Sequence, residues 1–96
     1  MVVHIVMFKF KDENKEENLK LVKKQLENLV NEIEPLQSME VGIDFNKSER
    51  AMDLSLYSTF ADEAGLKTYA THPAHLKVVE LIKKLTLESK VVDYNL

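Results

Sequence analysis

Three histidines, His4, His72 and His75, are the side chains of this chain suited to moving a proton near neutral pH, and Tyr69 lies close to two of them. His72 and His75 belong to the run Thr71-His72-Pro73-Ala74-His75, where the proline suits the first position of a helix. His72 is then the cap residue and His75 the third residue of that helix. His75, Val78, Val79, Ile82 and Leu85 recur at spacings of three and four, so His75 shares the inward apolar stripe. His4 sits in the apolar run Val3-His4-Ile5-Val6-Met7-Phe8. An imidazole buried there must find a hydrogen-bond partner or cost roughly 1–3 kcal/mol. Tyr69 and His75 are its expected company.

Brought together in an apolar hollow, these groups suit proton transfer. The first turn of a helix and burial both disfavour a positive charge on His75, which leaves a neutral imidazole able to act as a general base. Tyr69 can donate to an oxygen on which negative charge develops, and His4 can orient the pair or bind a second oxygen. Phe8, Leu26, Leu54, Leu56, Val79 and Ile82 are the expected apolar lining. The plainer alternative makes His75 a core histidine satisfied by Tyr69, with His4 bonded to the same pair and His72 a cap bonded to backbone. A metal site is not expected, because His72 and His75 face differently and no carboxylate joins them. No cofactor is expected either. Lys20, Lys23, Lys24, Lys83 and Lys84 read as solvated helix faces.

The elements that must position these residues follow from periodicity. Residues 2–10 alternate as a strand, with His4, Val6, Phe8 and Phe10 on one face and Val3, Ile5, Met7 and Lys9 on the other. Residues 14–33 have helical spacing through Leu19, Val22, Leu26, Leu29, Val30 and Ile33. Asn14 and Glu17 resemble a capping box, and Pro35 ends the helix. Residues 38–45 alternate again, with Met39, Val41, Ile43 and Phe45 on one face, and 52–60 form a third strand after a polar turn. Asp62 caps a short helix to Ala70 that Gly65 weakens, a second helix runs from Pro73 to Leu85, and Lys90–Leu96 forms a last strand. This order predicts an α+β fold, the ferredoxin-like split βαβ with a four-stranded antiparallel sheet and helices on one face. Val3, Ile5, Met7 and Tyr57 then lie on a rear face that no remaining segment covers. A second copy of the chain, sheet against sheet, is the expected cover.

Composition narrows the function further. Ninety-six residues make one domain spanning 1–96, and 45% hydrophobic with 30% charged residues is ordinary for a globular chain. A net charge of −3 argues against general nucleic-acid binding, which needs a basic face. The apolar run at residues 2–8 is too short for a membrane span. With no cysteine there is no disulfide or thiolate chemistry, which fits a cytoplasmic location.

The opening Val3-His4-Ile5-Val6-Met7-Phe8-Lys9-Phe10-Lys11, the segment from Tyr69 to His72-Pro73-Ala74-His75 and the closing Val91-Val92-Asp93-Tyr94 resemble the stress-responsive α/β-barrel (Dabb) domain family along the whole chain. The resemblance implies a small homodimer of the dimeric α+β barrel type. Its best-understood member in kind is a plant polyketide cyclase that closes a poly-β-keto chain by aldol chemistry without a cofactor. By that resemblance His4 matches the strand histidine, Tyr69 the helix tyrosine and His75 the base. Leu54 stands where the cyclase has a pocket histidine and Leu26 where it has an aromatic, so the resemblance does not carry over the substrate. Two functions follow as expectations: a binder of a small apolar ligand with a polar oxygen, or a cofactor-free proton-transfer enzyme of cyclase type. A monooxygenase-like or haem-related barrel is a weaker third.

Overall fold

A computed structural model describes residues 1–96. The elements run β1 (Val2–Phe10), α1 (Lys15–Asn28), a 3-10 turn (Leu29–Asn31), β2 (Leu36–Ile43), β3 (Leu54–Phe60), α2 (Glu63–Thr71), α3 (Pro73–Leu85) and β4 (Thr86–Asn95). The four strands form one antiparallel sheet in the order β2-β3-β1-β4, the expected ferredoxin-like arrangement with the three helices on one side.

The first helix buries Leu19, Val22, Leu26, Leu29 and Ile33, spaced by threes and fours, against the sheet. Val30, expected on that stripe, is exposed because the α-helix tightens at Leu29 into the 3-10 turn and changes phase. Asn14 does not cap: its backbone is left-handed (φ 51°) and its side chain makes no cap bond. Asp62 does cap α2, its Oδ1 accepting from Gly65 N at 2.8 Å. A Cβ at Gly65 would meet Pro35 Cβ at 3.4 Å and Phe60 Cβ at 3.6 Å, ordinary contact distances, so packing does not demand glycine there.

Strand boundaries differ from expectation: β2 starts and ends two residues early, β3 begins at Leu54 rather than residue 52, and β4 begins four residues early. β2 ends at Ile43, where Asp44 Oδ2 accepts from Lys47 N at 2.7 Å to turn the chain, and Phe45 is left 91% exposed off the strand whose face it was expected to share. β4 begins at Thr86, directly after α3, and pairs along nearly the whole of β1. The core lies between the helices and β1, β2 and β3, with Val2, Phe8, Phe10, Leu36, Val41, Leu54, Leu56 and Phe60 as the sheet's contribution. On the rear face Met7 and Tyr57 are exposed and Ile5 half-buried, as the missing cover implies, whereas Val3 is wholly buried, paired to Thr59 and Tyr94.

Candidate functional site

Alternation along β1 turns His4 toward the helices, and the register sets its neighbours: Ser58 on β3 and Asp93 on β4. His4 Nδ1 bonds Asp93 Oδ1, so the carboxylate accepts and fixes the proton on Nδ1. This replaces the expected partnership with Tyr69 and His75. His4 Nε2 bonds no protein atom. Asp93 is a candidate functional residue beyond those the chain's sequence singled out; its signal is a carboxylate flanked by Val92 and Tyr94 in the last strand.

Pro73 at the start of α3 places His72 and His75 as expected. His72 Nδ1 accepts from Ala74 N at 3.1 Å, which makes it a helix cap. His75 turns inward, and its Nδ1 donates to the Ala70 carbonyl at 3.1 Å. A carbonyl only accepts, so the neutral ring carries its proton on Nδ1 and presents Nε2 as a free base. Burial lowers the His75 pKa from its ordinary value; the Ala70 bond opposes this, and the nearby His4 and His72 add to it. Neutral imidazole is therefore the form present at physiological pH.

Tyr69, on the last turn of α2, packs between these rings and Phe60. Its ring centroid is 4.2 Å from His75, 5.2 Å from Phe60 and 6.1 Å from His4. The residue is 1% exposed, and its hydroxyl bonds no protein group. Such an orphan costs roughly 1–3 kcal/mol. Burial raises its pKa, so the hydroxyl stays protonated and available as a donor.

These groups line one cavity of about 230 Å³. His4, Tyr69 and His75 stand at one end, the inner one in that Tyr69 is buried there while Lys83 and Ser89 at the other are exposed, and Val6, Phe8, Leu26, Leu56, Val79 and Ile82 form the apolar walls. Leu54 does not reach it. That side chain is packed in the core beside Phe8 and Ile43, its strand partners. Lys83, Thr86 and Ser89 also line the cavity. Lys83 is exposed, as its sequence suggests, and also borders the cavity. No three ligating side chains gather as a metal site.

The stress responsive A/B barrel domain model matches residues 2–96. The chain belongs to this family. A stress-response A/B barrel domain-containing protein of Arabidopsis thaliana is 28% identical over 95 residues, covering 97% of this chain and 87% of the relative. A dimeric protein of unknown function and ferredoxin-like fold from Bacteroides fragilis superposes with a TM-score of 0.91 at 32% identity, over 99% of this chain and 95% of that one. A hydroxynitrile lyase from Passiflora edulis shares the fold at 21% identity, with a TM-score of 0.85 over 97% of this chain and 90% of that one. The fold is thus shared by a dimer of unknown function and by an enzyme. In the present A/B barrel protein no helix is long and apolar enough to cross a membrane.

Proposed function

We propose that this protein is a homodimer that binds a small, mostly apolar molecule through a carbonyl or hydroxyl oxygen in the cavity between helices and sheet. The observation that carries this reading is the Tyr69 hydroxyl, buried without a protein partner beside an imidazole whose Nε2 is unengaged. A ligand oxygen would accept from Tyr69, and the apolar walls would bury the remainder. Ligand pockets usually span roughly 300–1,000 Å³, so a cavity of about 230 Å³ suits a compact molecule better than a haem-sized group. The dimer would form on the rear face, where Met7, Tyr57 and Val92 are exposed on one surface of the sheet. The dimeric Bacteroides fragilis relative supports it.

A second reading is favoured by the tautomer of His75. With Nδ1 committed to Ala70, Nε2 can take a proton from a carbon next to a carbonyl whose oxygen Tyr69 holds, while the Asp93-oriented His4, its proton on Nδ1, can accept through Nε2 from a hydroxyl elsewhere on the ligand. The negative charge then rests on the ligand oxygen, stabilised by the Tyr69 donor.

Octan-2-one tests both readings. Its titration into labelled protein should shift the His4, His75 and Tyr69 signals, and Tyr69→Phe should weaken binding about tenfold through loss of one hydrogen bond. An unchanged affinity in Tyr69→Phe would contradict the binding reading. For catalysis, exchange of the ketone's α-hydrogens with deuterated solvent should be accelerated by wild-type protein and lost in His75→Ala. Binding without accelerated exchange would leave a binder and remove the enzyme.

A further inference from the structure

We infer that the cavity takes an acidic ligand: an extended apolar chain with its ketone or hydroxyl at the Tyr69 end and a carboxylate at the opposite end, held by Lys83. This rests on the binding reading above and adds the charge and direction of the ligand.

The two ends are well separated. From His75 to Lys83 the third helix rises about 12 Å at roughly 1.5 Å per residue. On the facing strand, His4 to Phe8 spans roughly 13 Å at about 3.3 Å per residue. Val6, Leu56, Val79 and Ile82 lie between the ends and offer no polar group to a side chain or ligand. At the outer end Thr86 Oγ1 already donates to Ile82 O at 2.8 Å. The Lys83 ammonium and the Ser89 hydroxyl have no protein partner. Lys83 shares this with Lys84 and other exposed lysines, whereas Lys9, Lys15 and Lys23 are paired with carboxylates; what sets it apart is its place on the cavity.

Charge also fixes the direction of entry. The carboxylate nearest the inner end is Asp93, already committed to His4, and it repels a second anion. An unpaired cation stands at the other end. A molecule with one carboxylate is therefore accepted with that group outward and its apolar chain along the walls. A lysine in the last turn of a helix also complements the helix dipole, whether or not a cavity is near. Lys84 occupies the same last turn without lining the cavity, so it separates the two roles.

Three probes of one chain length decide the matter: octan-2-one, an oxo-octanoic acid with its ketone next to the terminal methyl, and the methyl ester of that acid. In calorimetric titrations the acid should bind about tenfold more tightly than the ester, as a charge-assisted contact does over a neutral one. Lys83→Met should abolish that advantage and Lys84→Met should preserve it. Raising ionic strength should shrink the advantage without touching the ester. Equal binding of acid and ester, or equal damage from the two lysine variants, would overturn the anionic end. If octan-2-one binds under those outcomes, the oxygen-binding cavity survives without its anion. Failure of all three probes to bind removes both.

Discussion

β3 and β4 are both antiparallel neighbours of β1 and both carry apolar residues, yet they end in opposite environments. On β3, Leu54, Leu56, Ser58, Thr59 and Phe60 are buried. On β4 no residue is buried, and Leu87, Val91, Val92 and Tyr94 are exposed. The cause lies in the helices: the core they close includes side chains of β1, β2 and β3 and none of β4. Strand patterning records what a strand can bury, while the supply of helices decides whether its own chain does so. β3 belongs to the core, and β4 leaves its apolar side chains outside it.

The largest test of this contrast is Phe60→Ala. Phe60 is wholly buried in the core and touches Tyr69 through its ring. Removing it should cost roughly 3–5 kcal/mol, measured as a lower midpoint in urea unfolding. A loss below about 1 kcal/mol would mean that β3 is less central than its burial suggests. The matching test on β4 is Val92→Asp. Val92 pairs with Ile5, so alternation puts it on the rear face, where it is 51% exposed. A charge there should leave the far-ultraviolet spectrum of the fold unchanged. It should weaken self-association about a hundredfold, roughly 3 kcal/mol, by placing an unpaired carboxylate in the interface. Light scattering reads this as a fall toward the monomer mass. A dimer that survives Val92→Asp unchanged would place the interface elsewhere.

The same contrast explains what was legible in the sequence. Period-two alternation in β1 and the proline before α3 are local signals, and they sufficed to turn His4 and His75 toward the helices. The helices' one-sided placement followed from element order. Asp93 was not legible as the partner of His4, because their meeting depends on the register of strands at opposite ends of the chain. Leu54 shows the complementary difficulty: alternation gives its face, but only packing tells that Phe8 reaches the cavity while Leu54 stays in the core. Asn14 and Phe45 were misplaced by backbone turns that residue type alone does not specify. A left-handed φ denied Asn14 its cap, and the Asp44 turn carried Phe45 off the strand.

The smallest effect probes how dry the inner end of the cavity is, on the buried side of this division. Burial lowers the His75 pKa in the folded chain, whereas the unfolded chain takes a proton near the ordinary histidine value of about 6.5. Between the two values the unfolded state holds more protons, so stability rises with pH across that window. The His75 contribution is intact above about 6.5 and is lost as the pH falls from there to the folded pKa. Urea midpoints should therefore be lower at pH 5 than at pH 7, and His75→Gln should show a smaller drop than wild type. The difference between the two proteins removes the titration of every other group. Direct observation of the His75 ring by NMR should give a pKa below the ordinary value. A His75 that titrates at or above that value would mean a wet inner end, with water rather than a ligand oxygen satisfying Tyr69.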